Sequence, residues 1–276
     1  MPTTQAPTST TPTTQAAASS AAIAPEHEVF DSTKFTNPTN IDNPHYPLRP
    51  GTRWVYEGVA IDRGKTVNRH FEFTVTDLTK EIAGVRTVVA WLTDKDNDVI
   101  IEKEVAFFAQ DDDGNVWYFG EHPEEYEDGR FVTAPTWIAG IAEAKPGILI
   151  RLDPKVGGPS YYEGWGPAVD WNDYATVDQV GIETCVPASC YKDVTVIAES
   201  SLKEPNIFQL KYYARGVGEV RTGYRGDDPS KEELHLVQFT QLDQAGLADV
   251  RTQALDLEKH AYEISKDVYG LTPPSQ

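Results

Sequence analysis

Short runs of alternating apolar and polar residues, each ending at turn residues, follow one another along most of the chain. Between Val67 and Thr76, Phe71, Phe73 and Val75 fall on one side of an extended chain, and the residues between them fall on the other. This period of two is the pattern of a β-strand with one buried and one wetter face.

The stretch from Gly84 to Glu121 repeats the pattern three times. Acidic turns at 94–98 and 111–115 separate its runs, and the second turn contains the hairpin dipeptide Asp113-Gly114. We count roughly a dozen such runs, without βαβ alternation or a solenoid period. The sequence therefore predicts a mainly β protein: a curved antiparallel sheet or half-open β-barrel.

One segment, Ala245 to Ile264, follows a helical period instead. An isolated amphipathic helix is marginal in water, so this C-terminal helix is expected to pack on the sheet, either over its concave face and open mouth or on its outer face. The apolar residues spaced by three or four are Leu247, Val250, Ala254, Leu257, Ala261 and Ile264.

Composition divides the chain into four parts. Residues 1–25 form a Thr/Ser/Pro/Ala tract without charged residues, which predicts a disordered stalk. Residues 26–46 are an irregular, proline-rich lead-in, 47–241 are the β domain, and 245–264 are the helix. A stalk of this kind is typical of secreted or lipid-anchored bacterial proteins. We expect that Met1 stands where a signal peptide was removed, with a lipid anchor there as one option; the alternative is a cytosolic protein with a flexible tail.

The formal charge of the chain is −19, from 24 basic and 43 acidic residues. Nucleic acids and anionic membrane surfaces attract cationic patches, so this charge argues against both as partners. No apolar run approaches the length of a transmembrane segment.

Cys185 and Cys190 are the only cysteines and flank a Val-Pro-Ala-Ser turn. In a hairpin their Cβ atoms would face each other at disulfide distance. The closed loop is short, so such a bridge would pin a turn rather than hold the domain together. A metal-binding pair is the alternative, although no histidine or second cysteine pair lies nearby.

Four segments carry a resemblance to a broad, largely uncharacterised group of bacterial secreted proteins and lipoproteins. They are PLRPGTRWVY (47–56), DDGNVWYFGE (112–121), VPASCYKDV (186–194) and KYYARGVGEV (211–220). The group is similar to the half-open β-barrels of the LolA/LppX lipoprotein-carrier type. The resemblance implies an architecture more than an activity, and the cysteine turn and the long C-terminal helix depart from it.

The acidic turn suggests a metal site. Asp94, Asp96 and Asp98 follow a D-x-D-x-D spacing, and alternate turns of a meander share one end of the sheet, which places them beside the acidic segment 121–128. Carboxylates grouped in this way suit a hard cation such as Ca²⁺, the only cofactor that the sequence suggests. The alternative is a solvated, solubilising turn.

A second candidate site lies on the polar side of the strand at 67–76. His70 and Glu72 share that side, and Glu102 and Glu104 are expected two strands away on the meander. A histidine beside a carboxylate in a pocket could perform acid–base catalysis. The alternative is an exposed polar face of the sheet.

The third candidate site is aromatic. Five large aromatic residues lie on predicted strands, and some of them would line a concave face able to hold a hydrophobic or aromatic small molecule. Core packing is the alternative for each. They are Trp54, Tyr56, Trp91, Trp117 and Tyr212.

The leading interpretation is an extracytoplasmic protein that binds a hydrophobic or aromatic small molecule in a β-sheet cavity. The second is a cofactor-independent hydrolase, lyase or isomerase that uses His70 and Glu72. The third is a structural module of the cell envelope. Catalytic signatures such as G-x-S-x-G, H-E-x-x-H or a Walker loop are missing.

Overall fold

The computed structural model describes residues 25–204 and 206–276. Apart from Pro25, the predicted stalk at 1–25 lies outside the described residues. The described part is mainly β, as predicted, with fifteen strands and one α-helix. The strands are β1 (Thr52–Asp62), β2 (Lys65–Ile82), β3 (Val85–Asp96), β4 (Val99–Gln110), β5 (Val116–Glu127), β6 (Arg130–Thr133), β7 (Trp137–Ile138), β8 (Lys145–Ile150), β9 (Tyr161–Tyr162), β10 (Gly164–Trp165), β11 (Asp173–Val186), β12 (Ser189–Ser201), β13 (Ile207–Ala214), β14 (Gly218–Gly226) and β15 (Glu233–Gln241), and the helix is α1 (Gln244–Ile264).

All fifteen strands belong to one antiparallel sheet. Its order is β10-β8-β5-β4-β3-β2-β1-β15-β14-β13-β12-β11-β9, with β6 and β7 pairing to β5. The two ends of this order, β9 and β10, are neighbours in sequence, so residues 161–165 touch both edges of the sheet. The edges do not pair with each other along their length, and the sheet remains a curved, open structure rather than a closed barrel.

The ring of Tyr46, from the lead-in, shows how strongly the sheet curves. Its centroid lies 6.0 Å from that of Phe108 on β4 and 5.8 Å from that of Tyr213 on β13. These strands are six steps apart in the sheet order, which is roughly 29 Å in a flat sheet at about 4.8 Å per step. The face that carries Tyr46 is therefore concave.

The strand register assigns side chains to the two faces. Phe73, Leu92 and Glu104 lie side by side on neighbouring strands and face the concave side. Their sequence neighbours, including Trp91 and Val105, face outwards, because successive side chains of a strand alternate.

Helix α1 packs on the outer face, the second of the two locations that the sequence left open. It begins after Asp243, whose carboxylate caps the Gly246 N–H at 2.8 Å. Lys80 of β2 is buried beneath the helix, and its Nζ lies 2.7 Å from Glu258 Oε1. The buried helix residues are Val250, Ala254, Leu257, Glu258 and Ala261, and no described helix could cross a membrane.

The β11–β12 hairpin ends in the predicted disulfide. Cys185 and Cys190 face each other as a cross-strand pair with Cα atoms 4.0 Å apart. The tip lies beside β15, where Ala188 N–H donates to Leu236 C=O at 3.0 Å. Strands β14 and β15 pair at only two positions, so the hairpin tip satisfies a β15 carbonyl that β14 leaves free.

Candidate functional site

The concave face is lined by charged side chains, which we call the acidic trough. Strand alternation brings these residues to the same side as the aromatic residues around Tyr46. Ten carboxylic acids and two cations form the set. They are Asp94, Asp96, Glu102, Glu104, Glu121, Glu163, Asp173, Glu199, Glu219 and Glu232, with Arg69 and Lys211.

Arg69 of β2 holds one end of the trough together. Its guanidinium lies 2.7 Å from a carboxylate oxygen of Asp94 and of Asp96, and 3.2 Å from Glu232. Three acids thus share a single cation. Burial raises the pKa of Asp94 to about 7, even though Arg69 opposes the shift.

A second group of acids lies on β4 and β5. Glu121 accepts a hydrogen bond from the Tyr118 hydroxyl and one of 3.1 Å from the Trp137 indole N–H. The Tyr118 hydroxyl is also 3.4 Å from Glu104 Oε1. Burial, followed by the nearby Glu121 charge, raises the pKa of both Glu102 and Glu104 above the usual carboxyl range. These groups would therefore hold protons that exposed carboxyls release.

The opposite wall has its own cation. Lys211 Nζ lies 3.8 Å from Glu219 Oε1. The charges of Glu219 and Glu199 raise the pKa of Lys211, against the effect of burial. Burial also raises the pKa of Glu199, and it raises that of Asp173 to about 6.

Glu163 lies between β9 and β10, where the two edges of the sheet meet. Its side chain is 4% exposed, and its Oε1 has no hydrogen-bond partner among the described residues. Burial and the neighbouring charges of Glu199 and Asp173 raise its pKa well above the usual carboxyl range. An unpartnered buried carboxyl oxygen directed at other acids costs stability and calls for a counter-charge or a proton.

The trough remains open to solvent in spite of its depth. Lys211 and Glu219 are 20% and 16% exposed, and Asp94 is 16% exposed. A cavity of about 470 Å³ at one end is lined by Arg69, Asp94, Asp96, Glu102 and Glu125, among others. A smaller one of about 170 Å³ is lined by Asp173, Glu199, Glu204 and Gln209, among others.

The aromatic residues predicted to bind a ligand do not share one cavity. Trp54 and Tyr56 face the concave side, where their polar atoms donate to the carbonyls of Val217 at 2.8 Å and Glu219 at 2.9 Å. Both side chains are buried within the core.

The other three aromatic candidates lie on the outer face. Trp91 borders α1, and Trp117 packs against Phe30 and Phe35 of the lead-in. Tyr212 stacks against the Arg221 guanidinium. The five side chains therefore occupy separate environments on both sides of the sheet.

His70 and Glu72 are in contact, with His70 Nε2 2.9 Å from Glu72 Oε1. They lie on the outer face, 28% and 20% exposed, and Arg53 also pairs with Glu72. The register places Thr93 and then Lys103 beside Glu72. Glu102 and Glu104 lie two strands away from His70, on β4, but on the opposite, concave face.

Asp94 and Asp96 lie at the end of β3 and pair with Arg69, whereas Asp98 is exposed in the following turn. As the meander argument predicted, they neighbour the acidic segment 121–128, and the larger cavity touches both. That segment is mostly strand rather than loop, because β5 pairs with β4 as far as Glu125. Within residues 25–204 and 206–276, no three histidine, cysteine or acidic side chains are arranged to hold a metal ion.

Most residues of the acidic trough are not among those identified from the sequence. The sequence does contain a sign of them: single charged residues interrupt otherwise apolar strands, as Glu199 does in β12 and Lys211 does in β13. A charged residue at an inward position of a strand is rare unless it is paired or functional. A search for inward-facing charges would have found these acids, although not their common location.

Two solved structures resemble this chain at low sequence identity. No family profile and no curated protein matches the chain. A Bacteroides fragilis protein classed as exported and as having a YmcC-like fold is 14% identical; the match covers 71% of this chain and 99% of that one, with a TM-score of 0.39. A Parabacteroides distasonis protein classed as a lipoprotein is 13% identical over 72% of this chain and 99% of that one, with a TM-score of 0.38. Neither description mentions a LolA- or LppX-type carrier, so that narrower resemblance stays an expectation.

Proposed function

We propose that this protein is an extracytoplasmic binding protein whose acidic trough takes an extended small molecule with two or more positive charges, such as a linear polyamine. The observation that carries the proposal is the imbalance of ten carboxylic acids against two cations on one solvent-accessible concave face. A polycation would supply the missing positive charge. The proposal keeps the cavity expected from the sequence but changes its preferred ligand from apolar to cationic.

The spacing of the acids favours an extended ligand over a single ion. The larger cavity lies beside Asp94 and Glu102, and the smaller one lies beside Asp173 and Glu199. Since acids border both cavities, separate positive charges on one flexible chain match them better than a compact ion does. Binding of Ca²⁺ at Asp94 and Asp96 remains the alternative, and it would have to displace Arg69.

Raised carboxyl pKa values provide a specific signature. Asp94, with a pKa of about 7, is about half protonated at neutral pH in the empty trough. A bound cation would favour the ionised form, so binding at pH 7 should release protons into the solvent. Simple surface attraction between a polyamine and a protein of charge −19 would release far fewer.

The test is isothermal titration of the full chain with spermidine at pH 7, in two buffers that differ in ionisation enthalpy. We expect binding with release of at least about one proton, and at least about tenfold weaker binding at pH 5. Glu102→Gln should weaken binding about tenfold. Glu183→Gln, at an exposed acid on β11, is the matched control and should not weaken it.

Two further titrants and the two glutamine variants distinguish the alternatives. Equal binding of an uncharged ether of the same length would refute the charge argument and favour the apolar ligand expected from the sequence. Binding of Ca²⁺ without spermidine would favour the metal site. If Glu102→Gln and Glu183→Gln weaken spermidine binding equally, the binding depends on the net charge of the protein and not on the trough.

The extracytoplasmic assignment draws on the disulfide, because such bonds persist mainly in oxidising compartments. Cell fractionation combined with maleimide labelling of Cys185 and Cys190 tests it. We expect the protein outside the cytoplasm with unlabelled cysteines; a cytoplasmic protein with labelled cysteines would contradict the assignment.

A further inference from the structure

A groove of about 340 Å³ lies between helix α1 and the outer face of the sheet, on the opposite side from the acidic trough. Trp91 and Leu257 form its apolar walls. Its polar residues are Lys103, Glu124, Tyr126, Gln253, Asp256 and His260. Of the residues named as candidates for the three sites predicted from the sequence, it contains only Trp91, and its Glu124 and Tyr126 lie in the acidic segment 121–128.

A histidine–carboxylate pair lies in this groove. His260 Nδ1 is 2.6 Å from Glu124 Oε1. A carboxylate only accepts hydrogen bonds, so Nδ1 carries the proton and the lone pair of the neutral ring is on Nε2. His260 Nε2 has no hydrogen-bond partner among the described residues and is not buried.

Glu124 is fixed in position by its other contacts. It is 2% exposed, and its Oε2 accepts a hydrogen bond of 2.5 Å from the Tyr126 hydroxyl. Burial opposes its ionisation, but contacts from His122, Tyr126 and His260 outweigh burial and lower its pKa to about 2. It is therefore ionised throughout the range in which histidine titrates.

A second histidine lies behind the pair in the core. His122 is fully buried, and its Nδ1 lies 2.6 Å from Thr136 Oγ1, which itself donates to Ala134 C=O at 3.2 Å. Its Nε2 has no hydrogen bond and lies 3.5 Å from Glu124 Oε1. This arrangement directs a buried imidazole at the carboxylate that orients His260.

We propose that this groove is a hydrolytic site for small carboxylic esters, in which His260 is the general base and Glu124 is a positioning residue. His260 Nε2 takes a proton from a water molecule as the water oxygen bonds to the ester carbonyl carbon. The carbonyl oxygen becomes negatively charged beside the Lys103 ammonium group. The C–O bond to the alcohol then breaks, and the leaving oxygen takes the proton back from His260, which yields one acid and one alcohol.

The dimensions of the groove limit the substrate. A cavity of this volume is at the small end of ligand sites, and Trp91 and Leu257 suit an aromatic or short apolar alcohol group. This activity is separate from polycation binding, since the two sites lie on opposite faces of the sheet.

The test is hydrolysis of p-nitrophenyl acetate and p-nitrophenyl butyrate by the full chain, followed by nitrophenolate release between pH 5 and 9. We expect His260→Ala to lower the rate at least about 100-fold, as expected for loss of a general base. His235→Ala removes another partly exposed histidine, from β15, and should change nothing. Glu124→Gln should lower the rate and shift the pH profile, because it removes the carboxylate that accepts the His260 Nδ1 hydrogen bond and leaves Lys103, Tyr126, Asp256 and His122 as the charged and titratable groups around the ring.

Equal rates for His260→Ala and His235→Ala would overturn the proposal, as would a wild-type rate no higher than that of free imidazole. A Glu124→Gln variant with an unchanged pH profile would refute the positioning role. If a variant does not fold, ¹⁵N NMR of the wild-type protein tests the proposal independently, because it reports which ring nitrogen of His260 carries the proton. The proposal requires neutral His260 to carry its proton on Nδ1, and a proton on Nε2 would refute it.

Discussion

Lys211 offers the sharpest test of the electrostatics of the trough, because no other described cation lies on its wall. Its Nζ lies 3.8 Å from Glu219, and Glu199, Glu232 and Glu163 also act on it. Lys211→Met keeps the length of the side chain and removes its charge. Coulomb's law with an effective dielectric constant of about 20 gives about 4 kcal/mol for the Glu219 contact alone. Water reaches both side chains, so we expect a loss of about 2–4 kcal/mol at pH 8.

The loss should shrink at pH 5. Lys211 is charged at both pH values, and its raised pKa makes its stabilising effect constant below about pH 10. The acids around it differ: Asp173, with a pKa of about 6, and Glu199, whose pKa is also raised, are largely protonated at pH 5. Removing the lysine at pH 5 therefore leaves fewer ionised acids without a positive partner. We expect a loss of about 1–2 kcal/mol at pH 5.

Urea unfolding of the wild type and Lys211→Met at both pH values measures these losses. A loss that is equal at pH 5 and pH 8 would refute the reasoning, since it would indicate lost packing rather than lost charge. The double variant Lys211→Met, Glu219→Gln should recover part of the stability at pH 8. The wild type should itself become less stable as pH rises from about 4 to 7, because the folded protein retains carboxyl protons that the unfolded chain releases.

Three other tests concern the disulfide, the packing at Gly58 and the buried Lys80–Glu258 pair. Replacing Cys185 and Cys190 with serine should lower the free energy of unfolding by about 2 kcal/mol, as expected for so short a loop; a loss above about 4 kcal/mol in urea unfolding would mean that hairpin docking depends on the bond. Gly58→Ala should cost about 3 kcal/mol by calorimetry, because its Cβ would lie 1.7 Å from the Glu233 carbonyl oxygen, whereas Gly158→Ala should be nearly neutral. Lys80→Met should cost about 3–5 kcal/mol by leaving Glu258 buried without its partner, and adding Glu258→Leu should restore much of it; no restoration would contradict the charge-pair account.

Local patterns predicted the elements well. Alternation at 67–76 falls within β2, the helical period at 245–264 matches α1, and the cysteine spacing matches the disulfide. Each of these depends on residues close together in the chain.

The candidate sites depended on long-range register, which alternation does not reveal. Alternation shows that His70 and Phe71 lie on opposite faces, but not which face is concave. The pairing of Glu72 with Thr93, and of Thr93 with Lys103, decides that Glu104 belongs to the other face. The His260–Glu124 pair similarly requires a helix near the end of the chain to dock on β5, which no local pattern specifies.

The meeting of the sheet edges at residues 161–165 has a consequence for association between molecules. An exposed strand edge offers unpaired N–H and C=O groups to other chains and promotes aggregation. Here the terminal strands of the sheet order, β9 and β10, contain only two residues each, and Glu26 covers part of β9 through a hydrogen bond of 2.8 Å to the Ser160 carbonyl. At residues 161–165 the sheet thus presents little free backbone, whereas β11 beyond Ala175 pairs only with β12. The segment at 161–165 that nearly closes the sheet therefore also shields the part of each edge that it covers from edge-to-edge polymerisation.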